Sequence, residues 1–156
     1  MLPSQGSLSE EEMRGGIHTA IQKQVFVPLF VTSADSNVGV ARLMDFIAKY
    51  GSSPVDRAKV KAVGSDGKEV ELALTDPDPV CYVFKTMSEA QFGELSFFRI
   101  YSGTVRFGMD FYNSSRKSNE RFGQVYLLNG KNRTTAEALS AGDIGAVVKL
   151  KDTHTG

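Results

Sequence analysis

The sequence predicts a mainly β protein: an antiparallel β-barrel preceded by a helix–strand–helix piece of a layered α/β domain. Three observations carry this. From residue 58 onward, short runs rich in β-branched and aromatic residues are separated at regular spacing by turn signals. Before residue 51, apolar residues recur at helical spacing on both sides of one nearly continuous apolar run, VFVPLFV at 25–31. Between the two regimes, residues 52–57 have the Ser/Pro composition of a linker.

Residues 1–7, MLPSQGS, read as a disordered or expression-derived lead, since they carry neither a basic start nor an apolar core of the signal-peptide kind. Residues 8–51 follow as the α/β piece. Ser9 and Glu12 stand at capping-box spacing, and Glu10, Glu11 and Glu12 suit the positive end of a helix dipole. The pattern predicts a helix over 10–22 with Met13, Ile17, Ala20 and Ile21 on one side, weakened by Gly15 and Gly16. VFVPLFV suits a strand of a sheet covered on both faces, although Pro28 assigns it to an edge. A second helix follows, with Val40, Leu43, Met44, Ile47 and Tyr50 on one stripe and Gly51 as its stop. A parallel strand needs neighbours that these residues do not supply, so the α/β piece reads as part of a larger domain.

The barrel is expected over 58–156. VKAV and EVELAL flank Ser65-Asp66-Gly67-Lys68, a hairpin signal, and DPDP at 76–79 marks a turn before VCYVFKTM. FFRIYSGTVRFGMDFYN, 97–113, reads as strands broken at Ser102-Gly103 and again at Gly108. ERFGQVYLLNG and IGAVVKLK complete the set. Alternation places Phe97, Phe98, Tyr101, Phe107, Phe111 and Tyr112 mainly in packing roles rather than as a base-stacking platform.

Eighteen basic residues balance eighteen acidic ones, so no bulk charge marks a nucleic-acid tail or a membrane-surface protein. No apolar run approaches the roughly 20 residues that span a bilayer. The single cysteine, Cys81, has no internal partner for a disulfide, which fits a reducing compartment, and its place on a barrel strand predicts packing rather than catalysis.

A phosphate-binding loop needs G-x-x-x-x-G-K-[ST]. Gly67-Lys68 is followed by Glu69 and Gly130-Lys131 by Asn132, so both pairs read as turns. Asp76 and Asp78 flank Pro77 in a turn and are not read as a catalytic pair, and no metal-ligand spacing is present. Charge is less evenly spread. From Arg99 to Arg133 seven basic residues face two acids, Asp110 and Glu120. Lys and Arg hold phosphate backbones with little sequence demand, so SSRKSNER (114–121) and GKNR (130–133) are candidate RNA contacts. Arg116, Lys117, Arg121, Lys131 and Arg133 are the residues concerned; a solvated barrel face remains the alternative.

Ser33-Ala34 at the end of the apolar run, Asn37–Val40, YGSSP at Tyr50–Pro54, RIYSG at Arg99–Gly103, AGDI at Ala141–Ile144 and KDTHTG at Lys151–Gly156 together carry a resemblance. From about Leu8 to Gly156 the chain resembles the end of the GTP-binding domain and the whole of domain II of elongation factor G and its paralogues. The resemblance implies a noncatalytic fragment of a translational GTPase. Its parent would bind GTP and magnesium and drive ribosomal translocation in the cytoplasm, and this part would dock on small-subunit ribosomal RNA and brace the GTP-binding domain in cis. Ser33 and Ala34 match the last guanine-recognition motif of that family. The family's phosphate loop, switches, Asn-Lys-x-Asp motif and catalytic switch histidine have no match here, so no cofactor is expected on these residues alone and no GTP hydrolysis. Asp35–Asn37 departs from the more basic loop of the housekeeping factor, and GKNR and KDTHTG look closer to a divergent paralogue. A tetracycline-resistance ribosomal protection protein shares the architecture and stays open, as does, in a different class, a flavin-linked reductase barrel. The strand 25–31, deprived of its sheet, is expected to pair with a second copy or pack on the barrel.

Overall fold

The computed structural model describes residues 6–57, 59–89 and 93–156; residues 1–5 of the expected lead and Ala58 lie outside them. Two compact units divide the chain, Met1–Asp56 and Arg57–Gly156.

In the first unit, helix α1 spans Glu10–Gln22 and begins in the expected capping box. The Glu12 N–H donates to Ser9 Oγ at 3.2 Å, and the Ser9 N–H donates to Glu12 Oε2 at 2.9 Å. These bonds, that from the Ser9 backbone foremost, hold the Glu12 carboxyl below its usual range. Helix α2 spans Val40–Tyr50 and stops at Gly51, where a Cβ would lie 2.5 Å from the Ile47 carbonyl oxygen. His18 ties the helices together: Nδ1 lies 3.2 Å from the Tyr50 carbonyl and Nε2 lies 3.5 Å from Asp56.

The apolar run departs from expectation. Residues 25–31 join no strand ladder, and the isolated bridge between Ser33 and Val38 lies just beyond them. A strand exists only through a partner's hydrogen bonds, and none of the described strands runs beside it. The run keeps a two-residue alternation nonetheless. Phe30 turns onto Phe46, ring centroids 4.7 Å apart, while Val25, Val27, Leu29 and Val31 are exposed. On α2, Leu43 and Tyr50 are half-buried as expected, but Met44 and Ile47 stay exposed and Phe46 takes the inward place. Among the described residues of this unit none is buried, as follows when only one side of the apolar material is covered.

The second unit is antiparallel throughout. Strands β1 (Lys59–Val63) and β2 (Glu69–Ala73) form the expected hairpin around Asp66-Gly67. A five-stranded sheet follows in the order β3–β4–β11–β8–β9, built from Val80–Glu89, Gly93–Ser102, Ile144–Val148, Val125–Asn129 and Asn132–Ala136. Two short ladders complete it: β5 (Thr104–Arg106) with β10 (Ala138–Ser140), and β6 (Asp110–Asn113) with β7 (Ser118–Arg121). Flat, a five-stranded sheet would hold its edge strands about 19 Å apart. Yet Glu89 of β3 and Arg133 of β9 form an ion pair, so the sheet curls until its edges meet across one end.

Inside lie Phe98, Ile100, Val105, Phe122, Val125, Leu139, Val147 and Leu150. Strand β4 supplies the alternation: Ser96, Phe98, Ile100 and Ser102 are buried, while Phe97, Arg99 and Tyr101 face outward. Outward does not mean bare, since Lys85 lies over Phe97 and Arg99 over Tyr101, 5.9 and 5.2 Å from the ring centres. The break after Ser102 needs glycine on two counts. Gly103 has φ +67°, and a Cβ there would meet Pro79 N at 2.6 Å. Of the aromatics assigned to packing, Phe98 is in the core and Phe111 packs on Phe122 at 4.3 Å. Phe107 and Tyr112, 65% and 61% exposed, are not core residues, because each falls beside a turn where the ladder is too short to cover it.

Candidate nucleic-acid interface

The β6–β7 hairpin presents its charge through a tight tip. Asn113 Oδ1 accepts the Arg116 N–H at 3.0 Å, and Lys117 adopts the left-handed region at φ +55°, which closes the turn. Arg116 and Lys117 project from it, both exposed. Arg121 lies at the hairpin's base, opposite Asp110, with its guanidinium over Gly108.

The β8–β9 hairpin is a separate place. Lys131 is exposed at its turn, but Arg133 is half-buried and held by Glu89. Arg116 shares a cleft with Val80–Val83 at the start of β3, whereas Glu89 closes that strand's far end. Six to nine residues of strand separate the two, about 20–30 Å along β3. The five candidates therefore form no single patch, and the hairpin tip carries the more available charge.

The cleft beside the tip measures about 600 Å³. Cys81, Val83, Phe111 and Phe122 give it an apolar floor, Tyr82 and Tyr112 border it from strand positions that alternate with those of the floor, and the segment 152–156 forms one wall. Burial pushes the Cys81 thiol up to about 12, in keeping with its packing against the core cluster.

That wall is fastened by a buried carboxylate. Glu120 of β7 accepts the Lys151 N–H at 2.8 Å, the Asp152 N–H at 3.1 Å and the Thr153 hydroxyl at 2.6 Å. Asn113 adds a bond to Thr153 Oγ1 at 3.0 Å. Burial by itself would raise the Glu120 carboxyl, but Thr153, Lys151, Asp152 and Asn113 outweigh it and hold the group below its usual range. Farther along, the Thr86 N–H donates to Thr155 Oγ1 at 2.9 Å and the Gly156 N–H to the Val83 carbonyl at 3.1 Å. Charge counting registers Glu120 only as an acid in a basic stretch. The alternation of β7, with Ser118 and Glu120 inward, is the signal that marks it as internal.

In the other unit, Ser33 is committed to its own loop. Its N–H donates to the Val38 carbonyl at 3.0 Å and its carbonyl accepts from Val38 at 2.9 Å, while Ala34 accepts from Asn37 at 3.2 Å. Among the described residues, no group of three His, Cys, Asp or Glu could hold a metal ion.

The model of the family "Elongation factor G domain 2" matches residues 79–156, half of the chain. The chain belongs to this family. Domain 2 so matched begins at Pro79, just before β3, and takes in the core sheet, both basic hairpins and all of the cleft's lining but Val63. A solved structure of a protein from Thermus thermophilus is similar at 23% identity and a TM-score of 0.72, over 96% of this chain. The likeness at that identity is one of fold, and it extends beyond domain 2 to the helical unit. This chain spans about one fifth of that protein's length. Among the described residues no helix is long and apolar enough to cross a membrane.

Proposed function

We propose that this chain serves an elongation factor G-like translational GTPase as its ribosome-docking part. The observation that carries the reading is the domain 2 match over 79–156, and the exposed basic tip of the β6–β7 hairpin within it supports a docking role. Arg116 and Lys117 make the first contact with phosphates of small-subunit ribosomal RNA, with Arg121 behind them and Lys131 as a second, weaker point. Arg133 serves the barrel through Glu89 and contributes to RNA contact only if that pair opens. The helical unit, 8–51, belongs to a GTP-binding domain whose remaining parts hold GTP and magnesium, and Ser33-Ala34 stands at its guanine end. The chain by itself does not turn over GTP, and the whole factor works in the cytoplasm in ribosomal translocation.

Sedimentation of the purified chain with small ribosomal subunits tests this. Binding should weaken steeply with added salt, because each phosphate neutralised releases a counterion. Absence of salt-sensitive binding at low ionic strength would refute the docking role. Steady GTP hydrolysis that co-purifies with the chain would refute the noncatalytic one.

A further inference from the structure

We infer that a second hollow, between the β1–β2 hairpin and the outer face of β3–β4, binds a small aromatic anion of mononucleotide size. It shares none of the basic residues proposed for RNA docking and does not depend on that reading.

Two surfaces of the barrel unit make the hollow. Val60 of β1 pairs with Leu72 of β2, and these two, with Ala62, are half-buried on the inner side of the hairpin. Opposite them, Tyr82 pairs with Arg99, and Tyr101 stands two residues further along β4, so all three share the outward face of β3–β4. The hairpin and this face belong to different sheets, with no ladder to draw them together. The register slips between Val80 and Cys81, which leaves Tyr101 without a partner across the ladder. Such bulges re-aim side chains beside binding sites. Arg57, Val60, Lys61, Ala62 and Leu72 precede residue 79, so the hollow is built jointly by the family domain and the hairpin before it.

The lining fixes the chemistry of the ligand. It contains three cations, Arg57, Lys61 and Arg99, and no acid. Lys61 is engaged with Glu69 at 2.9 Å, but among the described residues the guanidinium groups of Arg57 and Arg99 have no carboxylate partner. Arg99 lies over the Tyr101 ring, 5.2 Å from its centre. That contact uses the face of the guanidinium and leaves the N–H donors on its edge. An arginine so held presents a fork that matches a phosphate or carboxylate. Tyr82 and the aliphatic walls of Val60 and Leu72 suit a flat ring beside the anionic group. The volume, about 360 Å³, lies at the low end of the ~300–1,000 Å³ range of small-ligand sites, so the ligand is small. A neutral ring or a bare inorganic anion engages only half of such a site.

The test is an NMR titration of the isotope-labelled full chain with three separate probes: adenosine monophosphate, adenosine and inorganic phosphate. Adenosine monophosphate should move the amide signals of Val60, Leu72, Tyr82 and Arg99 along one saturating curve. It should bind at least about tenfold more tightly than adenosine or phosphate alone, since only it makes the charged hydrogen bonds and the ring contact together. Arg99→Ala should weaken it roughly ten- to hundredfold, the loss expected for hydrogen bonds to a charged group. Arg57→Ala, at an exposed position, should also weaken it without lowering the urea midpoint, which separates loss of the site from loss of the fold. Absence of a saturating shift at those four amides would overturn the site. Phosphate binding as tightly as the nucleotide would overturn the aromatic part, and adenosine doing so would overturn the anionic part. Shifts confined to Arg116 and Lys117 would overturn the hollow in favour of the hairpin tip. Each of these results leaves the ribosome-docking reading standing, because that reading uses other residues.

Discussion

The Glu120 carboxylate accepts the Thr153 hydroxyl at 2.6 Å and so anchors the segment that follows β11 to the inner side of β7. The bond explains why an acid stands in the most basic stretch of the chain. With the Lys151 and Asp152 N–H groups on the same carboxylate, it fixes one wall of the cleft in place.

Glu120→Gln should therefore destabilise the barrel unit by about 1–3 kcal/mol, since an amide places N–H groups against donors that need an acceptor. Urea unfolding measures it. Because the folded carboxyl sits below its ordinary 4.5, its contribution is complete above that value and is lost as pH falls through the lower folded value. The natural chain should lose stability below pH 4.5 more steeply than Glu120→Gln. Parallel curves would show that Glu120 is not the linked group.

Gly103→Ala and Gly67→Ala separate two demands that glycine meets. Both positions have positive φ, +67° and +78°, but a Cβ on Gly103 would strike Pro79 whereas the space at Gly67 is open. Gly67→Ala should cost about 1–2 kcal/mol for the left-handed backbone alone. Gly103→Ala should cost clearly more, read as a lower urea midpoint.

The Cys81 thiol should react with a disulfide reagent at pH 8 far more slowly than the same thiol in denaturant. A value of about 12 leaves a thiolate fraction on the order of a thousandfold below that of a free cysteine. Equal rates would place the thiol in solvent.

Reversing charge at the hairpin tip, Arg116→Glu with Lys117→Glu, should abolish binding to small ribosomal subunits at low salt without lowering the unfolding midpoint, because both side chains are exposed. Lys131→Glu should have a smaller effect. Arg133→Glu should instead destabilise the barrel, by placing like charge against Glu89. Subunit binding that survives reversal at 116 and 117 would move the interface elsewhere.

Local signals hold where neighbours in sequence decide the outcome. Ser9 and Glu12 cap α1, Gly51 ends α2, and Asp66-Gly67 turns the β1–β2 hairpin, each through bonds spanning a few residues. The departures share one cause. VFVPLFV has strand composition, but a ladder needs a partner that composition does not supply. Phe107 and Tyr112 have core composition, yet their burial depends on what crosses above them.

The same division holds for the candidate site. Periodicity, turn residues and the scattered motifs determined an antiparallel β unit after two helices, the family, and the position of the basic hairpin tip, because backbone preference and charge are properties of short stretches. Which basic residues remain available was decided only by the tertiary structure. Curling of the sheet brought Glu89, 44 residues away in sequence, onto Arg133, and return of the chain after β11 made a cleft beside Arg116. Such pairings arise from long-range closure, whose partners no local pattern specifies.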